Sequence, residues 1–213
     1  MRLRLTALST VLAGFLFLAA PAGATTINFY LGVDDHGSLT INGSSLVNLN
    51  CPGSCSGASL LTLPGGWYSI VITYANYGGS TNLFFSEDPA LGNNFQTVPL
   101  SRLRSFDASG NYIQGLRADY YSAVNFTGFL GTVYGEGPIA HGYNAGYPYW
   151  YQGQTNPINN PSWGPFIPDA GWSSFSERLT GEIYIPTAVP EPTALFLLGT
   201  GLAAVVALRR RRA

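Results

Sequence analysis

The sequence predicts an all-β domain, a sandwich or barrel, between two processing signals. The first observation is that large apolar or aromatic residues alternate with other residues over 27–33 and 68–74, the period of half-buried strands. The second is the dipeptide Asn42-Gly43 between two alternating stretches, a strong hairpin signal. The third is that no helical periodicity occurs outside the two ends of the chain. Short strands separated by turn residues are typical of sandwiches and barrels.

The first 24 residues have the features of a secretory signal peptide. Arg2 and Arg4 precede an apolar run over 5–20, and the small residues Ala22-Gly23-Ala24 follow it. This order predicts cleavage before Thr25. The alternative, an uncleaved membrane anchor, fits the small-residue exit less well.

The last 25 residues combine three features. Val189-Pro190-Glu191-Pro192 precedes an apolar run over 194–208, and Arg209, Arg210, Arg211 and Arg212 follow it. The run is shorter than the roughly 20 residues of an ordinary spanning helix, although terminal arginines can extend it. The four arginines should stay on the cytoplasmic side of the membrane.

This three-part tail resembles the PEP-CTERM sorting signal of Gram-negative bacteria. The resemblance implies that an exosortase recognises and removes the tail. The protein would then be anchored transiently in the inner membrane and delivered to the cell surface or extracellular matrix. A plain tail anchor is the alternative.

The stretch between the signals, 25–188, is long enough for one domain with a full core. It contains four arginines, no lysine and ten acidic residues, which gives a net charge of about −6. The whole-chain value of −1 hides this because the other basic residues lie in the terminal signals. Nucleic acid is therefore not expected as a partner.

The two cysteines, Cys51 and Cys55, flank Pro52-Gly53-Ser54 in a chain predicted to be exported. Such a pair is expected to form a disulfide that shapes a small loop. The alternative, half of a metal site, lacks nearby histidines or further cysteines.

Two adjacent acids, Asp34 and Asp35, follow the first strand and precede the alternation of Leu39 and Ile41. They should lie on a tight connection between strands. Adjacent carboxylates repel each other, and a hard cation with several oxygen ligands, such as calcium, would neutralise them. The alternative is that aspartate and glycine are simply turn residues here.

Further strands are expected around 46–49, 61–63 and 83–85, with another beginning at 115 and the last over 175–185. The strand signal fades from Glu87 to Asn111, and 106–115 is interpreted as a connector. Residues 136–171, rich in Gly, Pro, Asn, Tyr and Trp, are expected to form long ordered loops.

Several motifs occur together in this domain. They include Asp34-Asp35-His36-Gly37-Ser38 before the hairpin, 63–68, 74–79, Gly115 to Tyr121, Asn125 to Gly128, and Phe175 to Gly181. Together they resemble the PA-14 domain, a β-sandwich module named after the toxin component protective antigen. Leu179 stands where that family has tryptophan, and the motif order indicates a circularly permuted version. The alternative is that each half pairs with a neighbouring molecule.

In the sugar-binding branch of that family, two aspartates joined by a cis peptide hold calcium, and the ion coordinates sugar hydroxyls. The resemblance implies Asp34, Asp35 and Asn76 as calcium ligands. It places His36, Tyr77 and Gly78 at the ligand. Aromatic side chains that could stack on a sugar, or simply pack, are Trp67, Tyr77, Trp150, Tyr151, Trp163 and Trp172.

The leading functional hypothesis is a surface or matrix module that binds a glycan or matrix polysaccharide with calcium as cofactor. The second is a structural matrix protein in which the acidic pair only stabilises a loop. An enzyme is not expected, since the candidate carboxyls fit a glycoside hydrolase only by residue type, and no nucleophile motif accompanies His36 or His141. These carboxyls are Glu87, Asp88, Glu136, Glu177 and Glu182.

Overall fold

The computed structural model describes residues 23–79, 81–137, 140–143 and 174–188. Within these ranges the chain is built almost entirely of antiparallel β-strands, and a short 3₁₀ turn spans Leu100–Arg102. The strands in chain order are β1 Thr25–Asp34, β2 His36–Ile41, β3 Ser44–Asn50, β4 Cys55–Leu63, β5 Gly66–Asn76, β6 Thr81–Asp88, β7 Gln96–Thr97, β8 Leu103–Phe106, β9 Tyr112–Gln114, β10 Leu116–Tyr121, β11 Phe129–Glu136, β12 Ala140–Tyr143 and β13 Phe175–Ile185.

The strands form two sheets, as predicted for a sandwich. The smaller sheet has the order β12-β6-β1-β4, and β7 pairs with β6. The larger sheet has the order β11-β10-β13-β5-β2-β3, and β8 joins it by pairing with β13 and β9. The longest ladder joins β5 to β13 over eleven residue pairs, from Phe175 opposite Asn76 to Ile185 opposite Gly66.

The core lies between the two sheets. Alternate residues of β1 point inward, so that this strand contributes Ile27, Phe29, Leu31 and Val33, all buried. The larger sheet contributes every second residue of β2, β5, β10 and β13. The buried side chains of these strands are Leu39, Ile41, Ile70, Ile72, Tyr74, Leu116, Ala118, Tyr120, Phe175, Glu177, Leu179, Ile183 and Ile185.

The strongest sequence patterns gave strands where they were expected. The alternation over 27–33 is β1, that over 68–74 is within β5, and the stretch 175–185 is β13. Asn42 and Gly43 form the predicted hairpin turn, both with positive φ (51° and 75°). These values are characteristic of a type I′ turn.

The structure differs from the sequence-based expectations in four places. The stretch 106–115 is not a connector, since β8 and β9 pair as a hairpin there, and β6 extends to Asp88. A strand, β11, was missed, and β12 lies within the stretch interpreted as loops. The missed strands are short or lie at a sheet edge, and β11 exposes both Phe129 and Leu130 instead of alternating. The rest of that stretch lies outside the described residues.

The two ends of the described body meet at one pole of the sandwich. Gly23 and Ala188 form an isolated antiparallel bridge, and the Thr25 hydroxyl donates to the Pro186 carbonyl oxygen (2.6 Å). Strand β1 leads from this pole, which we call the tail pole, to Asp34 at the other. Ten strand residues span about 30 Å.

Strands from both parts of the chain pair within one molecule. Strand β13 lies between β5 and β10, and β12 pairs with β6. The described strands from both parts of the chain therefore form one pair of sheets.

Gly181 lies where β13 changes partner from β10 to β8. A Cβ atom at this position would lie 2.4 Å from the Arg104 carbonyl oxygen and 2.8 Å from Leu116 Cδ2. We expect Gly181→Ala to lower the free energy of unfolding by about 2–3 kcal/mol, because backbone must shift to make room. Urea denaturation measures this. Gly92→Ala is the matched control, since nothing lies within 4 Å of its added Cβ. Equal stability of the two variants would contradict the close packing at Gly181.

Candidate functional site

Three connections between the sheets converge at the pole opposite the tail pole. Asp35 alone joins β1 of the smaller sheet to β2 of the larger. The segment containing Cys51 and Cys55 leads back from β3 to β4, and the turn after Asn76 leads from β5 to β6. We call this end of the sandwich the aspartate pole. The peptide bond between Asp34 and Asp35 is cis, as the resemblance to the sugar-binding family implied.

The Asp35 carboxylate joins the other two connections. Its Oδ1 accepts a hydrogen bond from the Gly53 backbone N–H (2.7 Å), within the cysteine loop. Its Oδ2 accepts from the Tyr77 backbone N–H (2.8 Å), at the start of the turn after β5. Asp35 is buried, so both hydrogen bonds are shielded from water.

The Asp34 side chain is also buried, and its Oδ2 accepts a hydrogen bond from the Ser54 hydroxyl (2.9 Å). Burial raises the pKa of Asp34 above its ordinary value; the Ser54 hydrogen bond opposes this, and the nearby Asp35 carboxylate adds to it. The Tyr74 hydroxyl donates from the core to the Asp34 carbonyl oxygen. Two close carboxylates in a largely dehydrated place favour a proton or a cation between them.

Cys51 and Cys55 form the predicted disulfide. Their Sγ atoms lie 2.9 Å and 3.7 Å from the Asp35 carbonyl oxygen. The small loop therefore contacts the aspartate pair directly. Its Gly53 N–H donates to the Asp35 carboxylate, and its Ser54 hydroxyl donates to the Asp34 carboxylate. This contact gives the disulfide a structural role in shaping the aspartate pole.

The turn after β5 brings the other predicted site residues to this pole. Asn76 is fully buried at the end of β5. Tyr77 is 54% exposed, and its ring contacts the His36 ring with centroids 4.7 Å apart. Gly78 and Gly79 follow with positive φ values of 111° and 93°.

The three residues predicted as calcium ligands, Asp34, Asp35 and Asn76, all lie at this pole. Asp34, Asp35 and Asn76 supply oxygen atoms, which calcium prefers, and nearby backbone carbonyls could add more. The hydrogen bonds to Asp35 use one lone pair of each carboxylate oxygen, and each oxygen has a second. Within the described residues, no group of three or more His, Cys, Asp or Glu side chains is arranged to hold a metal. The predicted calcium ligands are two carboxylates, Asp34 and Asp35, and one amide, Asn76, so they do not form such a group.

A shallow groove of about 220 Å³ lies on the outer face of the larger sheet, near the aspartate pole. Neither Asp34 nor Asp35 lines it, but His36, which follows Asp35, and Tyr77, whose backbone N–H donates to Asp35, both do. The lining of the groove includes His36, Ser38, Asn48, Asn50, Thr73 and Tyr77. Polar side chains beside an exposed aromatic ring are suited to a ligand that has both hydroxyl groups and apolar faces.

Gly53 and Ser54 were not among the predicted site residues. Both lie between the two cysteines, and the signal that could have found them is the expected disulfide loop itself. The predicted aromatic Trp67 does not lie at this pole: its ring contacts Tyr184 and Arg104 on the outer face of the larger sheet. Trp150, Tyr151, Trp163 and Trp172 lie outside the described residues.

Among the carboxyls considered for hydrolysis, Glu136 and Glu177 lie close enough for the charge of Glu136 to raise the pKa of Glu177. The other three have separate partners. Glu87 is ion-paired with Arg102, Glu182 with Arg104, and Asp88 accepts from the backbone N–H groups of Ala90 and Asn94. Glu177 is fully buried between the sheets. Glu136 is half-buried at the end of β11. His141 lies on β12, which pairs with β6.

The comparisons with known proteins concern the C-terminal end. Residues 188–212 match the family model described as the PEP-CTERM protein-sorting motif. No curated protein and no solved structure matches the chain. The match confirms the motif predicted from Val189-Pro190-Glu191-Pro192, the apolar run 194–208 and Arg209 to Arg212, all of which lie outside the described residues.

In the described ranges no helix is long and apolar enough to cross a membrane. The signal peptide predicted over 1–24 lies almost entirely outside those ranges. The chain thus joins a β-sandwich body to a PEP-CTERM sorting motif, which implies a protein that is exported, processed by an exosortase and sorted to the cell surface.

Proposed function

We propose that the body is a calcium-assisted carbohydrate-binding module of the cell surface or extracellular matrix, related to the PA-14 domain by circular permutation. The observation that carries this proposal is the pair of buried carboxylates, Asp34 and Asp35, held side by side where three connections converge.

Calcium is the cofactor that suits this pair. Asp34 and Asp35 are both buried, and burial and mutual repulsion raise the pKa of Asp34. A divalent cation removes the repulsion and accepts oxygen ligands without demanding strict geometry. Asn76 and the carbonyl groups of the following turn supply the remaining ligands in this proposal.

A glycan is the ligand that suits the surroundings. The groove near the aspartate pole is lined by amide and hydroxyl side chains and by the apolar side chains of Leu49, Val124 and Phe126. The exposed Tyr77 ring in its lining contacts the His36 ring. Hydroxyl groups of a sugar would coordinate calcium and bond to the amides, while the apolar face of the sugar ring would contact Tyr77. Gly78 adopts a φ of 111°, which is accessible to glycine, and its lack of a side chain would let a ligand come close to the turn.

The sorting motif and the proposed site lie at opposite ends of the sandwich. The sorting motif begins at residue 188, where Ala188 bridges Gly23 at the tail pole. The aspartate pole lies at the far end of β1, about 30 Å away. While the tail anchors the protein in the inner membrane, the proposed site would therefore point away from the membrane.

Glycan binding with and without calcium tests the proposal. The exported protein and an Asp34→Asn, Asp35→Asn double variant would be applied to an array of bacterial and host glycans, in calcium and in EDTA. We expect at least one glycan to be retained by the parent in calcium and released by EDTA or by the double substitution. Retention that is unaffected by both changes would refute the calcium-assisted mechanism.

A structural role is the second candidate. The hydrogen bonds from Gly53 N–H and Tyr77 N–H to Asp35 favour it, since they tie three connections together without any cation. In this case the protein would be a non-catalytic matrix component with no sugar site. An enzyme remains unexpected, and hydrolysis of matrix glycans that is lost on Glu87→Gln, Glu136→Gln or Glu177→Gln would overturn that expectation.

A further inference from the structure

A second groove, of about 330 Å³, lies on the outer face of the larger sheet, away from the aspartate pair. Its walls include side chains of the β8–β9 hairpin and of the adjoining strands β10 and β13: Arg104, Phe106, Tyr112, Arg117, Thr180 and Glu182. We call it the arginine groove. A volume of this size falls at the lower end of the range for small-molecule sites.

Planar side chains are stacked along one side of the arginine groove. The Arg104 guanidinium lies 4.0 Å from the centroid of the Trp67 ring and 4.1 Å from that of Tyr112. Tyr112 stacks in turn on Phe106 at 4.3 Å. The Glu182 carboxylate fixes Arg104 by accepting from its Nε (2.6 Å). The stack is therefore rigid, and rigid aromatic surfaces lose little entropy when a ligand binds.

The outer end of this stack is exposed to solvent. Phe106 is 51% exposed and Tyr112 is 53% exposed, although both are large aromatic residues. On the other side of the groove, the Arg117 side chain is 45% exposed and is oriented by Asp119, at 3.0 Å. An apolar platform thus faces a fixed set of hydrogen-bond donors across one concave surface.

The charges around the arginine groove nearly balance. Two guanidinium groups, Arg104 and Arg117, and two carboxylates, Glu182 and Asp107, line it. Asp119, which pairs with Arg117, adds a third carboxylate. The small net charge gives little attraction for a polyanion or a polycation. The groove offers planar donors next to acceptors instead, and vicinal hydroxyl groups both accept and donate.

We propose that the arginine groove binds a neutral pyranose unit of a polysaccharide, without calcium. The apolar face of the sugar ring stacks on the outer face of Phe106, because both faces of Tyr112 are covered by Arg104 and Phe106. Its hydroxyl groups bond to Arg117 and Glu182. This site is separate from the one in the proposed function, because none of its lining residues belongs to the aspartate pole.

Binding in the absence of calcium tests the proposal. The full-length chain, kept soluble in a detergent without a sugar headgroup, would be applied in excess EDTA to immobilised oligosaccharides. The panel would contain neutral glucose, mannose and galactose oligomers and, for comparison, polygalacturonate fragments. We expect at least one neutral oligomer to bind, and to bind more tightly than the uronates.

Phe106→Ala and Arg117→Gln are the informative variants, and each should weaken this binding about fivefold or more. Phe129→Ala, which removes an exposed aromatic ring outside the groove (59% exposed), should leave it unchanged. Circular dichroism would check that each variant is folded. Phe106→Leu, which keeps apolar contact without the flat ring, replaces Phe106→Ala if that variant misfolds.

Three results would overturn the proposal. These are retention of no neutral oligomer in EDTA, tighter binding of the uronates, and binding that is indifferent to both groove variants. The Asp34→Asn, Asp35→Asn double variant separates this site from the proposed function. It should keep the binding seen in EDTA, and a loss there would assign that binding to the aspartate pole.

Discussion

Replacing Glu177 with glutamine is expected to stabilise the protein at pH 9 by on the order of 4 kcal/mol, and to change its stability little at pH 4. Glu177 is fully buried on the inner face of β13. Burial, with a contribution from the negative charge of Glu136, raises its pKa to about 8, and a hydrogen bond with Tyr120 opposes the shift. Tyr74 lies opposite Glu177 on β5, also within the core.

The direction of the effect follows from proton binding. In the folded protein Glu177 stays protonated up to about pH 8, whereas in the unfolded chain it loses its proton near the ordinary value of 4.5. The unfolded state therefore binds fewer protons between these values, and the stability of the parent falls as the pH rises from about 4.5 to about 8. Glutamine cannot ionise, so the variant lacks this part of the decline.

Urea denaturation of parent and variant at pH 4 and pH 9 measures the difference. Other carboxyls whose pKa burial raises, Asp34, Glu87 and Glu136, are present in both proteins. The comparison therefore reports Glu177 together with its interaction with Glu136. Glu182→Gln, a half-exposed carboxylate of the same strand, is the control and should change stability by less than about 1 kcal/mol. An advantage of Glu177→Gln that is equal at both pH values would contradict the buried, protonated state.

Asp35→Ala is expected to lower the free energy of unfolding by about 2–4 kcal/mol, more than Asp34→Ala. The Asp35 carboxylate accepts the backbone N–H groups of Gly53 and Tyr77, and both donors lose their acceptor in the variant. Asp34 accepts from one flexible hydroxyl, Ser54, which can turn to another partner. Removing either carboxylate relieves the repulsion between them, so the difference between the two variants comes from the hydrogen bonds.

Chemical denaturation in EDTA, which excludes any effect of calcium, measures both variants. Hydrogen exchange of the Gly53 and Tyr77 amides reports the same bonds directly, and both should exchange faster in Asp35→Ala. If Asp34→Ala were the more damaging change, or if those amides kept their protection, Asp35 would not be the link between the three connections.

The parts of the fold that could be predicted are those in which one strand face is buried. Strands β1, β2, β5 and β13 alternate clearly because each has an inner and an outer face. The hairpin β8–β9 was missed, since strands of four and three residues are too short to establish a period. Edge strand β11 has no consistently buried face.

The acidic residues of the candidate site, Asp34 and Asp35, were predicted from the sequence, but the loop residues that hydrogen-bond to them were not. Asp34 and Asp35 are neighbours in the sequence. Their contacts with Gly53 and Ser54 instead depend on how the chain passes from β3 in the larger sheet to β4 in the smaller. Glu177 could have been recognised as a core residue, because it alternates with Phe175 and Leu179. A carboxyl in an apolar alternation is easily taken for a surface residue, although a protonated one can be buried.

Calorimetric titration of the purified body with calcium tests the central proposal most directly, beside the Asp34→Asn, Asp35→Asn double variant. We expect one saturable site in the parent and none in the variant, because the substitution removes both anionic ligands while keeping side-chain volume. No saturable binding in the parent, or equal binding in the variant, would contradict a calcium site at the aspartate pole and would leave the structural matrix role in its place.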